Sequence, residues 1–141
     1  MRVHAYPNVR WDLESYFRAL GDPTRLRIVN LLLHGELCGC DIQYVLEASQ
    51  SNVSRHLTYL KNGGLLLDRR EGYRIFYRLA APHERIRKQL FSFLRTVFNL
   101  DETLRLDTAR LKAAIEHGSC TAGEWRPFAG LVSVKTIGVR S

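Results

Sequence analysis

The chain has 141 residues, 45% of them hydrophobic and 25% charged, which is enough for one domain with a real core and too little for two ordinary domains. Its 21 basic residues exceed its 14 acidic residues, and the net charge of +7 favours a polyanionic partner, most commonly nucleic acid. No apolar run approaches the roughly 18 residues of a membrane span, and the N-terminus lacks the apolar core of a signal peptide, so we expect a cytoplasmic protein without a membrane partner.

The first part of the chain predicts an arm and two helices. Residues 1–10 have no hydrophobic period, which is typical of a loose arm, and the apolar residues of 11–20 predict a short helix. Asp22 and Pro23 then indicate a new helix start, because aspartate caps the first turn and proline at the first helical position loses no hydrogen bond. The apolar residues as far as Gly35 predict a central core helix.

A helix-turn-helix is predicted next. Apolar residues at helical spacing after Asp41 indicate a short helix, and a tight turn at residues 48–50 leads into a second helix that ends at Gly63. The apolar face of the second helix consists of Val53, Leu57 and Leu60. Two short helices joined by such a turn are typical of DNA-binding proteins, in which the second helix enters the major groove.

The polar face of this second helix carries hydroxyls, amides and a guanidinium, which are the groups that read base edges and hold phosphates. Alone, such a face is more often that of an ordinary surface helix, and the neighbouring elements favour the DNA-binding interpretation. The predicted DNA contacts on this helix are Gln50, Ser51, Asn52, Ser54 and Arg55. His56 lies near the apolar face, so packing or phosphate contact is expected of it rather than metal binding.

After the second helix the hydrophobic period changes from 3.6 to 2 and predicts two strands, residues 65–70 and 73–79. The predicted apolar face of this hairpin consists of Tyr73, Ile75, Tyr77 and Leu79. Arg69, Arg70 and Arg74 are expected at its tip, in contact with DNA phosphates. A hairpin that only closes the core would not explain three arginines at the turn, and a basic hairpin behind a helix-turn-helix is the arrangement of a winged helix.

A helix predicted over residues 83–98 has apolar and aromatic residues on more than one side. Such a helix needs a second partner, which suggests a subunit interface shared with the helix at residues 11–20. Residues 101–116 extend this helix or add another, and the residues from 117 onward predict no definite structure.

Together these elements predict a mainly α fold with a small β-hairpin, a homodimeric winged helix-turn-helix. The predicted organisation is an N-terminal arm at residues 1–10, a DNA-binding and dimerisation domain at residues 11–100, and a C-terminal extension carrying Cys120 at residues 101–141.

Five segments occur in an order that is far more specific than any one of them. They are ALGDPTRLRI (19–28), ELCGCDI (36–42), SQSNVSRHL (49–57), LKNGGL (60–65) and GYRIFYRL (72–79). In this order they resemble the ArsR/SmtB family of bacterial metal-responsive repressors. The resemblance implies a homodimer that binds a twofold-symmetric operator in double-stranded DNA until a metal ion or metalloid binds.

The chain contains three cysteines, an odd number that does not indicate a disulfide framework. Cys38 and Cys40 resemble the thiolate motif of the arsenic-, cadmium- and lead-sensing members of this family. On a regular helix two such side chains point about 200° apart, so they share one ion only where the segment is extended or just entering a helix. Gly39 widens the allowed backbone between them, and a helix N-terminus favours the thiolate form.

The third metal ligand is left open by the sequence. The best-known arsenic repressors of the family place a third thiol three residues after the second, where this chain has Gln43. Because trivalent arsenic prefers three sulfurs in a pyramid, we expect Cys38, Cys40 and Cys120 to bind As(III), within one subunit or across the dimer. Alternatively, Cys120 is a stray thiol in a tail, or His117 joins the thiols in a Cys3His site for zinc or cadmium.

The predicted function is that of a transcriptional repressor released from its operator when a thiophilic metal(loid), first of all As(III), binds the thiolates. One alternative is a repressor of the same fold that senses cadmium, lead or zinc, or that senses oxidants by forming a disulfide. A remote alternative is a small thiol reductase. The C-x-C spacing, the absence of a phosphate-cradling loop and the lack of a base paired with the thiols disfavour it, so no enzymatic activity is expected.

Overall fold

The computed structural model describes residues 12–81 and 85–118 of the chain. In chain order the elements are α1 (Asp12–Leu20), α2 (Pro23–Leu32), β1 (Leu37–Cys38), α3 (Gly39–Leu46), α4 (Gln50–Asn62), β2 (Leu66–Glu71), β3 (Arg74–Leu79), α5 (Arg85–Phe98) and α6 (Glu102–Glu116). None of the helices in this described part is long and apolar enough to cross a membrane.

α2 and α4 begin where the sequence offers a capping side chain. Asp22 accepts hydrogen bonds from two backbone N–H groups of the first turn, at 2.9 and 3.1 Å, and Pro23 takes the first position of α2. Ser49 caps α4 in the same way, accepting from the Asn52 N–H at 3.2 Å. Each cap satisfies a backbone donor that has no partner within its helix. The predicted start of α2 at Asp22 and Pro23 is confirmed.

α3 and α4 form the predicted helix-turn-helix. Glu47 ends α3 in the left-handed region of the backbone, at φ 55°, which turns the chain sharply and leaves residues 47–49 as the connection to α4. The buried side chains of the two helices include Ile42, Val45 and Leu46 of α3 and Val53, Leu57 and Leu60 of α4. These are the faces that the sequence predicted to be apolar.

The strands β2 and β3 form the predicted hairpin, and β1 adds a third antiparallel strand in the order β1-β3-β2. Sequence analysis did not predict β1, because a strand of two residues shows no period. The predicted apolar face of the hairpin is wrong in part. Tyr73 lies in the turn and is 90% exposed, whereas Phe76, which points to the opposite face, is fully buried. The guanidinium groups of Arg69 and Arg74 lie over the Phe76 ring, at 4.6 and 5.4 Å from its centre, and shield it from solvent.

α5 is the helix predicted over residues 83–98, and the structure describes it from Arg85 onward. Its buried residues are Leu90, Phe91, Leu94 and Phe98. Its other sides expose Ile86 and Phe93, at 41% and 57%, and α1 exposes Leu13 and Phe17, at 47% and 54%. The prediction that α5 is apolar on more than one side is therefore confirmed.

α6 is a separate helix rather than an extension of α5. Asp101 caps its first turn, accepting from the Leu104 N–H at 3.0 Å. The helix packs against α2 and α3 and buries Leu104 and Leu111 in the same hydrophobic core as the other helices. The predicted division at residue 100 therefore falls between two helices that share one core, and the domain organisation stays a prediction.

Candidate thiol site and nucleic-acid interface

Two thiols lie where the chain changes from strand to helix. Cys38 ends β1 with an extended backbone (φ −72°, ψ 144°), whereas Cys40 lies in the first turn of α3. Their Sγ atoms are 3.0 Å apart, and a hydrogen bond joins the two thiols. Two thiols at this spacing were predicted to converge only where the segment is extended or just entering a helix, and Cys38 and Cys40 lie at such a point. One soft ion can therefore reach both sulfurs.

Gly39 allows the thiol segment to pack closely against the sheet. A Cβ atom at this position would lie 3.3 Å from Cε2 of Tyr77, closer than an ordinary van der Waals contact. Gly39 is the first residue of α3 and is not among the glycines with positive φ, so the wider backbone freedom expected of it is not used here. The close approach to Tyr77 is what favours a residue without a Cβ atom. Burial raises the pKa of the Tyr77 phenol, and the Asp68 carboxylate adds to the shift, whereas Arg70 opposes it.

A cleft of about 410 Å³, here termed the thiol cleft, opens beside the two sulfurs. It lies between the start of α3, the helix α4 and the strand β3. Besides Cys38 and Cys40, its lining includes the apolar residues Val53, Leu57, Ile75 and Tyr77 and the polar residues Gln50, Ser54 and Arg74. An occupant of the thiol cleft would therefore contact the thiols, α4 and the hairpin at once.

α4 presents a polar face to solvent on the side away from the core. Of the residues predicted to contact DNA, Gln50, Ser51, Ser54 and Arg55 are exposed and Asn52 is half-buried. Arg55 donates a hydrogen bond to the Asn52 side-chain oxygen at 2.6 Å, which orders the guanidinium on the helix surface. Sequence reasoning did not single out Lys61, an exposed cation in the last turn of α4 that pairs with Asp68 at 3.1 Å.

The buried side of α4 is anchored to the start of α2. His56 Nδ1 lies 3.3 Å from Nη1 of Arg25 and 3.7 Å from the Asp22 carboxylate, and Arg25 also stacks on the Tyr59 ring at 4.0 Å. Burial lowers the pKa of the His56 imidazole. Asp22 opposes this shift, whereas the cationic Arg55 and Arg25 add to it. The histidine is a buried packing residue, which is one of the two roles that the sequence analysis preferred to metal binding.

The three arginines predicted at the hairpin tip differ in their surroundings. Arg69 lies inside β2, where it donates to both Glu36 oxygens at 2.9 Å and to Glu71 at 2.8 Å. Glu36, and then Glu71, hold the pKa of this guanidinium well above its usual value. Arg70 is exposed near the end of β2, and Arg74 is half-buried at the start of β3. The prediction that Arg69 lies at the hairpin tip is therefore wrong. The contact of the three arginines with DNA phosphates stays a prediction.

The third predicted ligand, Cys120, lies outside the described residues, as does the predicted arm at residues 1–10. His117 follows α6 directly and is exposed. Its Nδ1 donates to the Ala113 carbonyl oxygen at 2.7 Å, so a neutral ring keeps its lone pair on Nε2. Within the part of the chain that the structure describes, no group of three or more His, Cys, Asp or Glu side chains could hold a metal ion.

Comparison with known proteins gives consistent matches. Residues 22–66 match the family model for bacterial regulatory proteins of the arsR family. The chain is 39% identical over 117 residues to the arsenic resistance transcriptional regulator ArsR1 of Pseudomonas putida, a match that covers 79% of this chain and 89% of that protein. It is 42% identical over 73 residues to a cadmium resistance transcriptional regulatory protein CadC homolog of Staphylococcus aureus, covering 51% of this chain and 60% of that protein.

Among solved structures, the fold is similar to a homodimeric winged helix-turn-helix DNA-binding domain from Mycobacterium bovis, described as a possible ArsR-family transcriptional regulator. The TM-score is 0.53 and the sequence identity 32%, over 61% of this chain and 77% of that one. The shared architecture is the winged helix-turn-helix, here built from the helices α3 and α4 and the β2–β3 hairpin.

Proposed function

Since this chain belongs to the arsR family of bacterial regulatory proteins, we propose that it represses transcription as an operator-bound homodimer until As(III) binds its thiol pair. The observation that carries the proposal is the 3.0 Å separation of the Cys38 and Cys40 sulfurs at the start of α3. α3 is the first helix of the helix-turn-helix and packs against α4, so chemistry at the sulfurs acts next to the proposed DNA-binding helix. A repressor of this kind works in the cytoplasm, where bacterial operator DNA is found.

The proposed DNA surface combines the exposed face of α4 with the arginines of the hairpin. Its hydroxyl, amide and guanidinium groups suit base edges and phosphates, and the net charge of +7 favours binding to a polyanion. The proposed contacts are Gln50, Ser51, Asn52, Ser54, Arg55, Arg69, Arg70 and Arg74. To contact DNA, Arg69 would have to exchange its carboxylate partners for phosphate.

The proposed dimer uses the exposed apolar residues of α1 and α5. Leu13 and Phe17 of α1 and Ile86 and Phe93 of α5 are between 41% and 57% exposed, and burial against a second copy would remove them from water. The homodimeric state of the Mycobacterium bovis neighbour supports this arrangement. Two copies of α4 would then enter successive major grooves about 34–36 Å apart on a twofold-symmetric operator.

The proposed inducer site consists of Cys38, Cys40 and Cys120. Three thiols condense with arsenous acid to form three As–S bonds and release three waters, with arsenic remaining trivalent throughout. The described residues supply two converging sulfurs, at the N-terminus of α3. Arsenic is preferred because the arsenic resistance regulator of Pseudomonas putida matches 79% of this chain, whereas the cadmium resistance regulator matches 51%.

The proposed coupling between the two sites is mechanical. Cys40 belongs to α3, so a change in the position of its sulfur on ligation moves the helix against which α4 packs. A coupling free energy of about 1–3 kcal/mol between inducer and DNA corresponds to roughly a 5–150-fold change in operator affinity. The packed contact between the two short helices is the element through which this free energy would pass.

A second candidate inducer is cadmium or zinc, with lead a further possibility. His117 favours it, because the hydrogen bond from Nδ1 to the Ala113 carbonyl leaves Nε2 as the nitrogen with a lone pair for a metal. In this alternative the ligands are Cys38, Cys40, Cys120 and the Nε2 atom of His117. Oxidation of the thiols to a disulfide is the third possibility, since the two sulfurs of the pair are already 3.0 Å apart.

The test is a fluorescence-anisotropy titration with the DNA that lies upstream of the gene for this chain. The wild type, Cys38→Ser and Cys120→Ser are each bound to the labelled duplex and titrated separately with arsenite, cadmium, lead, zinc and peroxide. We expect arsenite to release the wild type and neither variant, with release expressed relative to each protein's own starting affinity.

The outcomes separate the parts of the proposal. Unchanged arsenite release from Cys120→Ser eliminates Cys120 as a ligand, and release by cadmium or zinc that His117→Gln abolishes identifies the Cys3His alternative. A wild-type protein that ignores the duplex, or that stays bound in saturating arsenite, would overturn the proposed function itself.

A further inference from the structure

The connection between α3 and α4 contains a residue whose backbone conformation is unusual for its type. Glu47 has φ 55°, and among the residues that the structure describes it is the one residue other than glycine with positive φ. The Cβ atom of an L residue destabilises this left-handed conformation, which glycine or asparagine commonly adopts at helix ends. A glutamate at such a position is explained by a contact that its carboxylate makes.

That contact comes from α6. Arg110 donates from Nη1 to the Glu47 carboxylate at 2.9 Å and from Nη2 to the backbone carbonyl oxygen of Tyr44 at 3.1 Å. The same guanidinium lies 5.8 Å from the centre of the Tyr44 ring. Because the Tyr44 carbonyl also accepts from the Glu47 N–H at 3.3 Å, Arg110 holds both the last turn of α3 and the residue that ends it. These contacts of Arg110 with Tyr44 and Glu47 are here termed the turn contact.

The turn contact is too exposed to stabilise the fold by much. The side chains of Arg110 and Glu47 are 40% and 72% exposed, and exposed ion pairs contribute little to the free energy of unfolding. The contact nevertheless lies directly before the helix proposed to bind DNA. Ser49 caps α4, and Gln50 and Ser51 in its first turn are proposed DNA contacts. A contact that fixes residue 47 therefore fixes where α4 begins.

α6 is anchored in the core, so it can form the fixed side of this contact. Leu111, the neighbour of Arg110, is fully buried, and Asp107 one turn earlier pairs with Arg27 of α2 at 2.7 Å. The helix packs against both α2 and α3. The connection between the two helices of the helix-turn-helix is thus held by an element that the rest of the fold keeps in place.

We infer that Arg110 is a positioning residue for DNA binding, which acts through Glu47 and the Tyr44 carbonyl on the direction in which α4 leaves the turn. The inference rests on the proposed DNA-binding function and adds to it a residue from outside the helix-turn-helix and the hairpin. Arg110 acts through the turn and not by touching DNA. The DNA-binding unit then includes α6 and does not end at residue 100.

The first experiment compares Arg110→Ala with Arg105→Ala in fluorescence-anisotropy titrations of the upstream duplex. Both changes remove an arginine from α6 and lower the net charge by one, but Arg105 is exposed and lies beside Phe98 and Asn99 at the end of α5. We expect Arg110→Ala to weaken operator binding by about fivefold or more relative to Arg105→Ala. Its urea midpoint should fall by less than about 1 M, because the contacts removed are exposed.

The second experiment removes the other partner. Glu47→Asn keeps a residue that tolerates the left-handed conformation and removes the carboxylate. The change raises the net charge by one, which through phosphate attraction alone would strengthen DNA binding. We expect it instead to weaken operator binding by about threefold or more, with an unchanged or higher urea midpoint. Combined with Arg110→Ala, it should add little to the loss caused by Arg110→Ala alone, because both changes break the same contact.

A third measurement needs no DNA. The amides of Glu47 and Ala48 donate to carbonyl oxygens of α3, each at 3.3 Å, and their hydrogen exchange reports how well the turn is held. We expect Arg110→Ala to speed this exchange by about threefold or more and Arg105→Ala to leave it unchanged.

The outcomes separate this inference from the function on which it rests. A wild type that does not bind the duplex overturns the proposed function, and the role of Arg110 in DNA binding with it. Where the wild type binds, equal affinities of Arg110→Ala and Arg105→Ala, or tighter binding by Glu47→Asn, overturn the inference alone. Unchanged hydrogen exchange in Arg110→Ala, or a loss of DNA binding that only follows a loss of unfolding free energy, has the same consequence.

Discussion

Polar residues are exposed to solvent on the side of the molecule that carries α4, whereas they are buried where α6 packs against α2. On α4 the hydroxyl, amide and guanidinium groups proposed to contact DNA are exposed, apart from the half-buried Asn52. At the α2–α6 contact Asn30, Asp107 and Thr108 are all buried. Exposed polar groups add little to folding and can bind a partner, whereas buried ones must be paired and therefore specify how the helices dock.

The α2–α6 contact is held by a chain of hydrogen bonds. Arg27 donates from Nε and Nη2 to the two Asp107 oxygens, at 2.7 and 3.0 Å. Asn30 donates to a backbone carbonyl of α6 at 2.9 Å and to the Thr108 hydroxyl at 3.2 Å, and His34 Nε2 lies 3.2 Å from the same hydroxyl. We therefore expect mutations here to change stability, and mutations on α4 to change DNA binding.

The largest effect is expected from Arg27→Ala. This change leaves the Asp107 carboxylate, whose side chain is 5% exposed, without its bidentate partner. Because the Arg27 side chain is itself 31% exposed, the loss should lie at the lower end of the about 3–5 kcal/mol that is typical of breaking a buried pair. Arg110→Ala is the matched control, because Arg110 also joins α6 to a neighbouring element, through an exposed pair with Glu47 and an exposed hydrogen bond to the Tyr44 carbonyl oxygen. Together these exposed contacts should contribute only about 1 kcal/mol. Urea unfolding of the two variants measures both values. Equal losses of unfolding free energy in the two variants would contradict the inference that buried polar pairs at the α2–α6 contact stabilise the fold.

A smaller loss of unfolding free energy is expected when the pH is lowered. Burial lowers the pKa of His34 from 6.5 to about 4, so the folded protein favours the neutral imidazole. The corresponding stability is complete above pH 6.5 and is lost as the pH falls from 6.5 towards 4, because the unfolded chain takes up the proton first. Each pH unit costs about 1.4 kcal/mol, which gives a loss of about 2–3 kcal/mol at about pH 4.5.

The measurement is urea unfolding at neutral pH and at about pH 4.5 for the wild type, His34→Leu and His117→Gln. His34→Leu should show a smaller difference between the two conditions, by the loss calculated above, whereas the exposed His117→Gln should keep the wild-type difference. Identical pH dependence in all three proteins would mean that His34 does not titrate in this range. His56 shifts in the same direction through burial, and its contribution is common to all three.

The smallest change in free energy is expected from replacing an exposed residue of α4. It should change the free energy of DNA binding and leave that of unfolding unaffected. Arg55→Ala should weaken operator binding by about 1–3 kcal/mol and leave the free energy of unfolding within about 0.5 kcal/mol, since its guanidinium donates to Asn52 on the exposed surface of its own helix. Arg105→Ala is the matched control, because it removes an exposed arginine from α6. A comparable loss of operator binding in both variants would mean that Arg55 contributes only through the net positive charge of the protein, and not through a specific contact of α4 with DNA.

Much of the fold follows from patterns within a few residues. The cap at Asp22, the proline after it and the apolar spacing of Val53, Leu57 and Leu60 predict α2 and α4 close to their observed limits. The Cys38–Cys40 motif was identified by resemblance, and the backbone condition for its convergence by helical geometry. The thiol cleft could not be predicted in this way, because its lining residues come from α3, α4 and β3, and no local sequence pattern indicates that these elements lie together.

The sequence by itself determined the elements whose causes are local, namely the start of α2, the apolar faces of α3 and α4 and the presence of the hairpin, because capping and periodicity act within one or two turns of the chain. Only the tertiary structure decided which polar groups are neutralised and which face solvent. Arg69 pairs with Glu36, 33 positions away, and Arg27 pairs with Asp107, 80 positions away. Such pairs depend on packing that brings distant segments together, and β1 likewise exists because its two residues pair with β3.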